Sequence, residues 1–173
     1  KKLNLPGAPM AGASFTVGEV VSGVPVALCE GIGQAWACWV ATGNPAVVCF
    51  GWGNVARVAA ELRQQDPAAR LVLVPDVGKE TSAAEIAQAV GAAVACMPEG
   101  EAQNFDAADL AQRDGHDVLA ALLEAATEPP KPEPRYKPLT AANLRDLPPL
   151  PWRVRGVLPA VGLAALYGPS ASG

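Results

Sequence analysis

Two carboxylates in this chain stand where an apolar run stops: Glu30 closes VPVALC (24–29), with Gly31 directly behind it, and Asp76 closes RLVLVP (70–75). A third acidic group, Asp106 and Asp109 in NFDAADL (104–110), follows the apolar run AAVACMP (92–98) after a short loop. Carboxylates gathered on one edge make a hard-oxygen site of the kind Mg²⁺ takes, since that ion keeps several waters and uses one or two carboxylates plus substrate phosphates. Such a donor set suits phosphoryl-transfer chemistry. The same acids also fill helix N-caps and turns, and spacing alone leaves both readings standing.

The acids meet only if the runs that carry them lie parallel. VPVALC (24–29), PAVVCF (45–50), RLVLVPD (70–76) and AAVACMP (92–98) read as strands from their apolar, partly β-branched content. Between them GIGQAWACWVATG (31–43), closed by Gly43, NVARVAAELRQQ (54–65) and SAAEIAQAVG (82–91) read as helices. In the second of these, Asn54 is the expected N-cap, and Val55, Val58, Ala59 and Leu62 keep helical spacing. Strands alternating with helices predict an α/β fold of the Rossmann-like kind, with about four largely parallel strands, helices on both faces and right-handed connections. Ligands of such sheets bind at the carboxyl ends of the strands, where Glu30 and Asp76 fall. Upstream, SFTVGEV (14–20) suits an edge strand or hairpin after a Gly/Pro-rich lead-in, and HDVLAALLEAA (116–126) reads as a closing helix.

Composition narrows the function classes. A net charge of −4 with 17% charged residues argues against a strongly basic nucleic-acid surface on this chain. The four cysteines form no C-x-x-C pair and read as small buried hydrophobes rather than zinc ligands. Neither a signal peptide nor an apolar run of about 18 residues is present, so the expectation is a soluble, cytoplasmic protein without membrane contact. The opening Lys-Lys, in place of Met, suggests a fragment, expected to be monomeric.

Beyond residue 126 the composition changes. EPPKPEPRYKP (128–138) carries proline at nearly every second position and predicts a stiff, extended linker, spanning 127–150 in all. From 151 to 173 the chain leads into the strand-like LAALY (163–167) and then Gly168-Pro-Ser-Ala-Ser-Gly173. That is G-x-x-x-x-G, the first six positions of a P-loop, stopping where Lys and then Ser or Thr should come.

The stretch CEGIGQAWACWVATG, the strand ending VPD and the later FDAADL resemble the Toprim domain in the form found in DNA primases of phages, plasmids and mobile elements, and LPGAPMAGASFTVGE (5–19) is similar to the lead-in of those proteins. The resemblance implies a lead-in over 1–23 and a Toprim domain over 24–126, and the segment 151–173 resembles the truncated start of a RecA-like, P-loop helicase domain. It further implies Mg²⁺-dependent nucleotidyl transfer making RNA primers in DNA replication. In that reading Glu30 is the general acid/base, Asp76 with Asp109, or Asp106 in its place, holds Mg²⁺, and Gly31 leaves room for a phosphate beside Glu30. The implied partners are a DNA template, nucleoside triphosphates and a replication helicase in cis or in trans. ATP enters only if the helicase domain follows, with Gly168 and Gly173 at its phosphate loop.

Where the family carries D-x-D, this chain has Asp76-Val77-Gly78, so one carboxylate is replaced by glycine and weak metal binding is expected. Glu80, the next acid, fits the first turn of a helix. The alternative function is therefore a degenerate Toprim module that binds nucleic acid or metal and tethers a helicase. Trp36 and Trp39 are expected in the core, His116 on the surface, and both tyrosines, Tyr136 and Tyr167, fall outside the predicted domain, which sets a topoisomerase aside. Gly31 and Gly33 open a helix as in a dinucleotide fingerprint, but Trp36 occupies the position of the third glycine.

Overall fold

The computed structural model describes residues 7, 9–130, 138–149, 151–161 and 168. The chain divides into two compact units, Lys1–Lys131 and Pro132–Gly173.

The first unit is an α/β fold around a five-stranded sheet. In chain order its elements are β1 (Phe15–Val17), β2 (Pro25–Cys29), α1 (Ile32–Thr42), β3 (Ala46–Val48), α2 (Trp52–Gln65), β4 (Arg70–Val74), α3 (Glu80–Val90), β5 (Ala93–Val94), α4 (Ala107–Asp114) and α5 (His116–Glu124). The strands run in the order β1-β3-β2-β4-β5. β3, β2, β4 and β5 are mutually parallel, and β1 pairs antiparallel with β3 as the edge strand expected of SFTVGEV.

Continuous apolar runs become central strands because both of their faces are covered. One face carries Ala27, Cys29, Val72 and Val74 against Ala35 and Cys38 of α1, Leu110 of α4 and Leu119 of α5. On the other, Val26, Leu28, Leu71 and Leu73 meet Val55, Val58 and Ala59 of α2 and Ala87 of α3. Each fully buried leucine in these layers contributes about 1.5–3 kcal/mol. From β2 the chain leaves through α1 on the first face to β3, whereas from β4 it leaves through α3 on the second face to β5. The connections thus diverge from the adjacent pair β2 and β4, opening a crevice at their carboxyl ends.

Four expectations change in the structure. β5 covers only Ala93–Val94 of the seven-residue run, because its alanines are poor strand formers and Val94 turns to bridge Thr127, which caps this edge. Asn54 is not an N-cap. α2 begins at Trp52 behind Gly51, and the Asn54 amide instead donates to Ala13 O (2.8 Å) and Cys49 O (3.0 Å) and accepts from Gly12 N (2.8 Å), fastening the lead-in to β3. Trp36, expected in the core, is 56% exposed, because α1 turns Ala35 and Cys38 inward and only Trp39 packs against the core. Cys29, Cys38 and Cys49 are buried free thiols as expected, whereas Cys96 is exposed.

The second unit contains a one-turn helix, α6 (Ala141–Arg145), whose N-terminus is capped by Thr140 accepting from Asn143 N (3.2 Å), and an antiparallel pair, β6 (Trp152–Val154) and β7 (Leu158–Pro159). The proline-rich 131–137, the expected strand 163–167 and Gly173 lie outside the described residues, while Gly168 is exposed. Among the described residues no helix is long and apolar enough to cross a membrane.

Candidate functional site

The carboxyl ends of β2 and β4 are locked in register, Cys29 opposite Val74. Beyond Cys29 the chain stays tied to its other neighbour: Cys49 N donates to Cys29 O at 2.9 Å and Gly51 N to Glu30 O at 3.1 Å. Glu30 is thereby held, half-buried, at the mouth of the crevice. Gly31 then caps α1 with extended backbone (φ −123°), and a Cβ there would meet nothing within 4 Å. Neither backbone nor protein packing requires glycine at this position.

The side chain that unites the site is Gln34, in the first turn of α1 and only 2% exposed. Its Oε1 accepts from Glu30 N (3.0 Å) and Gly31 N (3.2 Å), satisfying two amides at the helix start. Its Nε2 donates to Asp76 Oδ1. One buried carboxamide therefore bonds the backbone of Glu30 and the carboxylate of Asp76. Sequence reasoning passed over Gln34; the available signal was a glutamine at the third helical position, where it reaches back to cap.

Asp76 follows the buried Pro75 and begins a tight turn closed by Lys79 N to Asp76 O (3.0 Å), with Gly78 at φ +94°. The position where the resembled family carries a second aspartate is thus a left-handed turn position that favours glycine. Glu80 accepts from Gly78 N through Oε1 (2.9 Å) and Oε2 (3.0 Å) at the start of α3, the helix-terminal role expected of it. The same turn is clasped by the loop before α4, with Val77 N bonded to Phe105 O (3.0 Å) and Asn104 N to Val77 O (3.1 Å). That clasp brings Asp106 alongside Asp76.

Asp106 is the N-cap of α4, its Oδ1 accepting from Ala108 N (2.7 Å) and Asp109 N (3.0 Å). Asp109 returns the bond, its Oδ2 accepting from Asp106 N at 3.1 Å, and is otherwise exposed. Of the two, Asp106 is the one whose charge acts on the Asp76 carboxyl. The Asp76 carboxyl is pushed up chiefly by burial, then by the charges of Glu30 and Asp106, against the opposing hydrogen bond from Gln34 and charge of Lys79.

None of Glu30, Asp76 and Asp106 belongs to an ion pair among the described residues, and no three His, Cys, Asp or Glu side chains there are grouped closely enough to hold a metal ion by themselves. The donors are hard oxygens, only partly offset by the Gln34 hydrogen bond and the Lys79 charge at Asp76. That fits a hard cation held loosely and completed by a ligand's oxygens, not a closed protein cage.

No family model matches the chain, and no curated protein matches it. Among solved structures it is similar to the RNA polymerase domain of Mycobacterium tuberculosis primase DnaG, with 23% identity and a TM-score of 0.49 over 60% of this chain and 36% of that one. It is similar also to the same domain in complex with double-stranded DNA, with 22% identity and a TM-score of 0.47 over 60% of this chain and 35% of that one.

Proposed function

We propose that this chain carries the nucleotidyl-transfer site of a Toprim-type DNA primase or primase-helicase, joining nucleotides by attack of a 3′-hydroxyl on a nucleoside triphosphate with loss of pyrophosphate. The observation that carries the reading is the bridging of Glu30 and Asp76 through Gln34 at the crevice between β2 and β4, with Asp106 alongside. Glu30, held by its backbone yet half-exposed, takes the proton of the attacking hydroxyl. Asp76 and Asp106, with Asp109 at the rim, are the residues to hold Mg²⁺, which when bound offsets charge developing on the phosphate oxygens. Gln34 keeps Asp76 oriented toward the crevice. A DNA template and nucleoside triphosphates are the partners of this reading, with a replication helicase in cis or in trans. Gly168 and Gly173 belong to an ATP-binding phosphate loop only in that helicase context.

Replacing Glu30 by Gln in the full-length protein should lower primer synthesis on single-stranded DNA by about 10²–10⁴-fold, with an unchanged thermal melt. Primer synthesis at the wild-type rate would contradict the proposal.

A second reading, a degenerate module that binds nucleic acid or metal and tethers a helicase, is favoured by one observation: the turn at Gly78 has no second carboxylate, and Asp109 is engaged in a cap. Under that reading Glu30→Gln leaves both template binding and every activity of the full-length protein unaltered.

A further inference from the structure

Beside Asp109 lies a cleft of about 390 Å³ whose other lining residues the chemistry above does not use. Its wall is Arg113, the guanidinium stacked over the Phe105 ring with its carbon 4.8 Å from the ring centroid. Arg113 is pinned there by two carboxylates. Its Nε and Nη2 donate to Asp114 (3.0 and 2.7 Å), and its Nη1 donates to Glu101 at 2.8 Å. With its charge matched twice over and its donors engaged, this arginine is poorly placed to recruit a phosphate. What it offers is a flat face, and its side chain remains 47% exposed.

Around that face stand three carboxamides, Gln103, Asn104 and Gln112, whose side chains make no hydrogen bond among the described residues. Each presents both a donor and an acceptor, as the edge of a nucleobase does. The cleft is tied to the acid site on two sides. Asp109 lines it and caps Asp106, and Asn104 N bonds Val77 O in the Asp76 turn.

We propose that this cleft receives a nucleobase, stacked on the outer face of the Arg113 guanidinium and read at its edge by Gln103, Asn104 and Gln112. Guanidinium planes and aromatic rings stack on bases of every type, so affinity comes from the plane and selectivity from the carboxamides. The choice of ligand rests on the nucleotidyl-transfer reading, under which the sugar and phosphates of the same nucleotide extend toward Asp106 and Asp76.

The test is a titration of the isotope-labelled full chain, without Mg²⁺, by adenosine and uridine and separately by a single-stranded DNA trinucleotide, following backbone amide signals. The inference expects saturable shifts confined to residues 102–106 and 109–113 with at least one of these probes, and which probe binds more tightly tells a free nucleotide's base from a strand's. Arg113→Lys, which keeps the charge and removes the plane, should weaken binding about tenfold or more while leaving signals outside residues 101–114 in place. Gln112→Ala should weaken it a few-fold and change the preference between adenosine and uridine. Absence of saturable shifts with all three probes overturns the inference, as does wild-type affinity in Arg113→Lys. Nucleosides carry no phosphate, so this result is independent of Glu30: binding here together with unimpaired priming by Glu30→Gln would retain the cleft and remove the catalytic reading.

Discussion

The two ends of the central sheet treat charge in opposite ways. At the amino end, Arg63 donates to four backbone carbonyls, Val90 O (2.8 Å), Pro67 O (2.8 Å), Ala69 O (2.7 Å) and Gly91 O (2.8 Å). Two of those carbonyls belong to the carboxyl terminus of α3, where the helix dipole favours a cation, so this charge is answered entirely by the fold. At the carboxyl end, the charges of Glu30 and Asp106 act on Asp76, with one carboxamide and one nearby lysine against them. The larger of these two cavities, about 820 Å³, is at the amino end beside Arg63, whose charge the fold already meets, and Arg70, Glu124 and Glu128 line it as well. Size therefore does not mark the site here. What marks it is that strand-terminal carboxylates there act on one another with no ion pair among the described residues.

The comparison breaks most visibly if a charge is added where the carboxyl end is already overloaded. Gln34→Glu places a buried carboxylate against Asp76 and should destabilise the fold by about 3–5 kcal/mol at neutral pH, with much of the loss recovered on acidification, as urea unfolding at several pH values would show. At the opposite end, Arg63→Met should cost about 2–3 kcal/mol through carbonyls left without a donor, while leaving any response to Mg²⁺ unchanged. Gly78→Asp restores the carboxylate of the resembled motif but forces an L side chain into φ +94°, and should cost about 1–2 kcal/mol in thermal or chemical unfolding. The Cβ itself has room, its nearest neighbour being Gln103 Cγ at 3.7 Å, so the loss is conformational.

The smallest effect has the opposite sign. Because the Asp76 carboxyl is raised in the folded protein, its contribution to stability is full below the ordinary carboxylate range and is lost as pH rises through the folded value. Asp76→Asn keeps an acceptor for Gln34 and removes the repulsion. Without divalent cations it should melt slightly higher than wild type near pH 7, with the difference shrinking as pH falls toward 4.

How much of this could be read in advance follows from the reach of each interaction. Alternating apolar runs and helical spacing are local patterns, and they predict β2, β4, α1 and the placing of Glu30 and Asp76 on one edge, because a parallel sheet leaves no other arrangement for strand-terminal residues. The nearness of Asp106 to Asp76 was not legible in spacing. Asp106 and Asp109 fall within the same turn of chain, and their placing near Asp76 depends on the backbone clasp between Val77 and residues 104–105, a contact between segments 27 residues or more apart. Gln34 escaped for the same reason: its capping half is local, but its bond to Asp76 crosses 42 residues. The exposure of Trp36 was likewise invisible, since an apolar helix covered along one stripe by β2, α4 and α5 still leaves another stripe uncovered.

The central claim is that the carboxylates at the carboxyl end await a cation. Mg²⁺ added to the full chain at pH 7 should bind in the roughly millimolar range and raise the melting temperature. It should move the amide signals of residues 30–34, 76–78 and 104–106 together while leaving those around Arg63 still, and Asp76→Asn should abolish the response. A chain whose melting temperature and signals ignore Mg²⁺, or an Asp76→Asn variant that responds as wild type does, would contradict the account.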